Sequence, residues 1–237
     1  FNIGKTLRDT EDARKETADW IGTEKQRLNE KMAKECDTIV AGLYEYLAIY
    51  EPLFPKKTEF IPFPIVCDDD TPTIEFHKDG EPIKIFIGIN KSRSAYKGTD
   101  IMLKAAKEVE SKYPDKLKLT VVESVPFDEY RKMMMSCDAI VDQLYSYTPS
   151  MNPLEAMSHG LICIGGGEPE NYEVLNETEL RPIVNVEPTF KSVYSQIENM
   201  VLHPENISTM QRQSIEYIRK HHDYIKVAKQ YEKLYMK

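Results

Sequence analysis

Between residues 82 and 186, short apolar runs alternate with amphipathic stretches, and this alternation constrains the fold more than any other feature of the chain. IKIFIGIN (83–90), KLTVVE (118–123), AIVDQL (139–144), LICIGG (161–166) and PIVNV (182–186) are short, apolar and rich in β-branched residues, so they read as buried strands. A helix over 99–112 follows from Met102, Ala105, Ala106, Val109 and Tyr113, which repeat at helical spacing. FDEYRKMMMS and PLEAMSH supply two further helices, and residues 172–175 a helical turn. Strands separated by helices at these intervals pair in parallel, with helices on both faces. The expected fold class is α/β, a doubly wound parallel, Rossmann-like sheet.

The flanks are less regular. Residues 9–34 are charged and helix-forming, CDTIVAGL gives a short strand from Thr38, and YEYLAIYEPLF reads as an amphipathic helix stopped by Pro52 and Pro55. TEFIPFPIV (58–66) is extended, because its prolines exclude helix and restrict the residues before them. Asp68, Asp69, Asp70, Pro72 and Gly80 make a loop, where a domain boundary is placed. Helices are expected over 189–202 and from Ile207 to the end. The last carries Tyr217, Ile218, His221, Tyr224, Ile225, Ala228, Tyr231 and Tyr235 along one face, a packing stripe expected to dock the tail, with residues 1–50 as its candidate surface. The chain opens on Phe1 in polar helical sequence, which reads as a fragment lacking its natural beginning.

Charge and cysteine usage narrow the function. A net charge of −8 argues against nucleic-acid binding, which needs clustered Lys and Arg, but leaves room for a small anionic ligand. The four cysteines are widely spaced, with no C-x-x-C and no histidine at ligand spacing, as expected of reduced thiols in a cytoplasmic protein without a metal site. No apolar run approaches the roughly 18 residues of a membrane helix, and no signal peptide is visible.

In open α/β sheets, ligands bind outside the carboxyl ends of the strands. The loop NKSRSAYKG brings Lys91, Arg93 and Lys97 to a helix start without an acidic residue, which favours a phosphate group; a solvated basic loop is an equal alternative. In the loop after the third strand, Asn152 reads as an N-cap, Pro153 as the first helical residue and Glu155 as its capping-box partner, with Gly160 ending the helix. Glu155 could serve a ligand or merely its own helix end. Gly165, Gly166 and Gly167 fit either close approach to a ligand or a flexible turn, the turn being slightly favoured. His159, His203, His221 and His222 support no triad, and no nucleophile or catalytic residue is assigned.

Taken in order, these parts resemble the C-terminal, donor-binding half of GT-B glycosyltransferases of the retaining, family-4 type. CDTIVAGLYEYLAIYEPLFPKKTEFIPFPIV is similar to the end of the acceptor domain and its linker. IFIGINKSRSAYKGTDIMLKAAKEV is similar to the first donor-domain strand, basic loop and K-G helix, and SCDAIVDQLYSYTPSMNPLEAMSHGLICIGGGEPE to the acidic signature. IEYIRKHHDYIKVAKQYEKLY resembles the closing helix that crosses back. The resemblance implies three parts: 1–66, the tail of an acceptor domain with its linker; 67–206, the donor-binding domain; and 207–237, a helix returning to the N-terminal segment.

By the same resemblance, Lys97 grips the donor diphosphate. The family arginine falls on Ser92, so Arg93 or Lys91 takes its place. Glu155 binds the ribose, the first signature glutamate falls on Tyr147, and two family glycines fall on Thr148 and Ser150. The implied reaction is retaining transfer of a sugar from a UDP- or GDP-sugar to a saccharide or other hydroxyl acceptor. Lys97, Arg93 and the amides of Ser150, Met151 and Asn152 would hold the diphosphate, and backbone near Val125 the base, with no metal or cofactor. Acceptor groups and any general base would lie on a preceding domain, which also allows peripheral membrane association, so this chain alone would bind nucleotide weakly and transfer nothing. Two other readings are a degenerate, non-catalytic interaction module and a sugar-nucleotide epimerase of similar fold.

Overall fold

The computed structural model describes residues 20–68 and 70–236. Helix α1 (Glu24–Glu35) starts at Thr23, whose hydroxyl accepts from the Gln26 amide; the part of the expected first helix before residue 20 lies outside the described residues. Strands β1 (Ile39–Ala41) and β2 (Thr58–Phe60) pair in parallel, Ile39 opposite Thr58. Helix α2 (Tyr44–Tyr50) makes the crossover between them and ends before Pro52, which cannot continue it. The proline-containing stretch after β2 buries Ile61, Ile65 and Cys67.

The main sheet has five parallel strands: β3 (Ile83–Ile89), β4 (Leu117–Glu123), β5 (Ala139–Val141), β6 (Ile162–Gly165) and β7 (Val184–Asn185). Their spatial order is β4-β3-β5-β6-β7. Connecting helices are α3 (Ser94–Lys97), α4 (Thr99–Lys112), α5 (Phe127–Met134), α6 (Met151–Ser158) and α7 (Pro169–Glu173). After β7 come α8 (Phe190–Leu202), α9 (Ile207–His221) and α10 (Tyr224–Tyr235).

Strand alternation sorts the side chains into two layers. Ile83, Ile85 and Ile87 join Met102, Ala105 and Val109 of α4 and Val193 and Ile197 of α8 on one face. Phe86 and Ile140 face the other way, toward Met134 of α5 and Ala156 of α6, while Cys163 meets Leu154, Met157, Tyr217 and Ile218. Each fully buried aliphatic side chain contributes roughly 1.5–3 kcal/mol. The sheet is covered on both faces, as the run of apolar strands predicts. The chain leaves β3 toward β4 with its helix on one face, then turns back toward β5, β6 and β7 with helices on the other, which keeps every crossover the same hand. A switch point therefore lies between β3 and β5.

Two expectations are corrected. The third strand does not run through 139–144; β5 stops at Val141, and Asp142 begins a turn. The terminal helix is not continuous: α9 ends at His221, and α10 begins at Tyr224 with Asp223 as its cap. At the break the Ile65 amide donates to His222 O (2.7 Å), and the Tyr224 amide to Ile65 O (3.1 Å). Tertiary pairing, not a helix-breaking residue, interrupts the helix. Only Val227 of α10 is buried, and Tyr224, Ile225 and Tyr235 are exposed, so the tyrosine stripe is not one buried face.

Candidate functional site

The carboxyl ends of β3, β4 and β5 surround a cavity of about 280 Å³ at the switch point. Gly88 and Asn90 contribute from β3, Ser124 and Val125 from the end of β4, and Asp142, Ser150 and Asn152 from the turn after β5. Lys97 supplies the cation. Its place is fixed by Gly98, which has φ +71°, and a Cβ there would meet Leu144 Cβ at 2.6 Å. The Leu144 amide also donates to Lys97 O (2.8 Å), fastening the end of α3 to the loop after β5.

Asp142 is the buried acid of this cavity. Its Oδ2 accepts from the Ser150 amide (3.1 Å) and its Oδ1 from Ser150 Oγ (2.9 Å). Burial raises its pKa, opposed by the Ser150 bonds and the nearby charge of Lys97. Tyr130 lies against Gly88, where a Cβ would come within 2.9 Å of its ring, and its hydroxyl accepts from Asn152 Nδ2 (2.8 Å). Burial raises the Tyr130 pKa, with the Asn152 bond acting against it.

These contacts change the expected start of α6. Ser150, not Asn152, is the N-cap, and Pro153 is the third helical residue. The Ser150 side chain makes no capping bond because it is turned to Asp142. The capping box is therefore absent: Asn152 reaches Tyr130, and Glu155 Oε1 lies 3.8 Å from Arg131 Nε. The amides of Met151 and Asn152 remain in the first turn, where no intrahelical carbonyl can serve them. Gly160, with φ +101°, ends this segment as expected.

The expected site residues separate into groups. Lys97, Val125, Ser150 and Asn152 share the switch-point cavity. Met151 and Glu155 line a neighbouring cavity of about 440 Å³ with Arg131, His159, Asp68 and Asp70. Arg93 is exposed and lines neither. Tyr147 packs on Tyr44, their ring centroids 5.2 Å apart. In the basic loop, Lys91 pairs with Glu123 of β4, so the loop that lacks acids in sequence gains one in space.

Sequence reading missed Glu45. Its carboxylate, on the first turn of α2, accepts from Ser146 Oγ (2.6 Å), the Tyr147 amide (2.7 Å), the Thr148 amide (3.1 Å) and Thr148 Oγ1 (2.6 Å). No local signal marks a partner about a hundred residues away; only a surplus of donors in SYTPS hints that something must accept from them. Gly166 serves the same turn from behind. A Cβ there would sit 2.2 Å from Ser146 O, so this glycine admits a second backbone segment and is neither a free turn nor a ligand cradle.

Sequence comparison finds no matching family model and no matching curated protein. Comparison with solved structures does. A point mutant of S. aureus TarM, in complex with fondaparinux, alpha-GlcNAc-glycerol and UDP, superposes at a TM-score of 0.66 with 12% identity, covering 98% of this chain and 49% of TarM. Anabaena HepE in complex with UDP-glucose gives 0.65 at 13% identity, covering 90% of this chain and 68% of HepE. Sucrose-phosphate synthase from Thermosynechococcus elongatus gives 0.62 at 14% identity, covering 98% and 66%. The fold is that of a GT-B glycosyltransferase. The five-stranded parallel sheet matches the C-terminal half of the GT-B architecture, and the chain spans about half the length of TarM.

Proposed function

We propose that this chain is the donor-binding half of a retaining glycosyltransferase that moves a sugar from a nucleoside diphosphate, UDP first among them, to a saccharide or other hydroxyl acceptor. The observation that carries this reading is the switch-point cavity, where Lys97 faces the first turn of α6 beneath backbone of the β4 loop. Those groups can hold the negative charge that builds on a diphosphate as the glycosidic bond breaks, in a fixed and partly dry setting. Structures of TarM with UDP, fondaparinux and alpha-GlcNAc-glycerol, of HepE with UDP and glucose, and of HepE with UDP-glucose support the choice of donor. Under this reading residues 67–206 bind the donor, 1–66 belong to the acceptor side, and 207–237 return to it. On this reading the chain binds the donor and by itself turns over no substrate.

Calorimetry with UDP, GDP and ADP tests the proposal. One of them, UDP by expectation, binds the wild-type chain, and Lys97→Ala weakens it by at least about tenfold, the value of one charge-assisted contact. Undiminished affinity in that variant would remove the assigned diphosphate site. A second reading, a non-catalytic partner module, is favoured by Glu45, which already occupies the donors of the turn 146–148. Sugar transfer by the full gene product would dispose of it.

A further inference from the structure

The Glu45 carboxylate is too well served to be an incidental surface contact. Oε1 takes three donors, Ser146 Oγ and the amides of Tyr147 and Thr148, and Oε2 takes Thr148 Oγ1. Successive backbone amides converging on one anion form a nest, and bonds to an ionised acceptor are the stronger kind. Within the turn, Ser146 Oγ also lies 2.6 Å from Thr148 O, so its single proton is shared between that carbonyl and Glu45, and the Tyr147 ring packs on Tyr44. Behind the turn lie the Gly166 backbone, in close contact, and the Glu168 amide, which donates to Tyr147 O (3.2 Å). Two residues further on is Ser150, whose amide and hydroxyl set the Asp142 carboxylate in the wall of the Lys97 cavity.

We infer that Glu45 is a positioning residue for the switch-point cavity. It reaches from the segment before the linker into the donor-side turn, fixes that turn between its own carboxylate and Gly166, and thereby holds Ser150 against Asp142. The inference rests on the donor-site reading for its functional part. A carboxylate is not strictly required: a glutamine keeps an oxygen for the Oε1 donors and offers its amide to Thr148 Oγ1, which can also accept. What matters is an acceptor at that point in space. The wall that meets the nucleotide is in this way set by a residue on the acceptor side.

The test uses the 237-residue chain with Glu45→Ala, Glu45→Gln and Thr148→Val, reading amide exchange by NMR and UDP affinity by calorimetry, with thermal unfolding alongside. In Glu45→Ala the amides of Tyr147, Thr148 and Ser150 exchange at least about tenfold faster while those of β3 do not change, and UDP binds about tenfold more weakly. Glu45→Gln restores both readings to within about twofold, a rescue that general loss of stability would not give. Thr148→Val, which removes only the Oε2 contact, shifts both in the same direction by less and keeps the test open if the alanine variant unfolds. Faster exchange confined to Tyr147 and Thr148, with Ser150 unmoved, overturns the inference, because the clamp would then stop short of the cavity. UDP affinity unchanged or tightened in Glu45→Ala overturns it as well. If the wild-type chain binds GDP or ADP in place of UDP, that nucleotide is the probe; if it binds none of the three, the donor-site reading falls, and exchange at Ser150 alone decides the role of Glu45.

Discussion

Gly166→Ala probes the best-defined steric constraint in the candidate site. The new methyl carbon would lie 2.2 Å from Ser146 O, 2.7 Å from Ser146 C and 2.9 Å from Tyr147 C, all backbone atoms that cannot swing aside. No positive φ is recorded for Gly166, so the effect is one of volume and not of backbone preference. To reach ordinary contact the turn must retreat by about 1 Å, and overpacking of this kind costs roughly 1–3 kcal/mol. The same retreat stretches the Glu45 contacts, now 2.6–3.1 Å, toward the limit of hydrogen bonding. Weakening a half-buried carboxylate's bonds adds about 1 kcal/mol or more. The expected loss is about 3 kcal/mol, or roughly 6–12 °C in Tm for a chain of this size. Gly165→Ala is the matched control, since its nearest contact would be Asp142 Cβ at 3.3 Å, and it should cost under about 1 kcal/mol. Urea unfolding of both variants gives the comparison. Equal losses in the two, or a Gly166→Ala loss below about 0.5 kcal/mol, would refute the close-packing argument.

Two further outcomes are expected. Buried His222 donates Nδ1–H to Phe63 O (2.9 Å), its Nε2 has no partner among the described residues, and burial holds its pKa down to about 4, against the pull of the Phe63 bond. At pH values above its ordinary 6.5 the ring is neutral folded and unfolded and contributes nothing; from there down to about 4 only the unfolded chain takes up the proton. Stability should therefore fall by about 3 kcal/mol across that window, and urea midpoints that stay level across it, or a slope unchanged in His222→Asn, would contradict the assignment. In the cavity, Asp142→Asn keeps partners for the Ser150 amide and hydroxyl but removes a negative charge facing Lys97, so UDP should bind more tightly, by about threefold or more; weaker binding by calorimetry would show that the carboxylate itself is required.

What could be read from the sequence was local. The period of Met102, Ala105, Ala106 and Val109 placed α4, and the unbroken apolar runs AIV and LICIG placed β5 and β6, because burial on both sides leaves its mark in consecutive residues. Features decided by distant partners were not readable. Asn152-Pro153 has the composition of a helix start, yet Asp142 takes the Ser150 amide and moves the start forward. No proline or glycine marks the break after His221, since the competing bonds come from Ile65. Lys97 stood out as the cation of a K-G pair, but its separation from Lys91 and Arg93 depended on where Glu123 and Gly98 put each side chain. Glu45 had no signal of its own.

The pairing of Ile65 with residues 222–224 has a mechanical consequence. The chain passes between the N-terminal segment and the main sheet at the linker, and the tail runs beside that passage, tied to it by hydrogen bonds on both sides of Ile65. Ile65 is itself buried in the cluster that holds Leu154, Met157, Tyr217 and Ile218. The pairing therefore fastens linker and tail to the helical face of the main sheet as one unit, and peeling the tail away would uncover that core as well as break both hydrogen bonds.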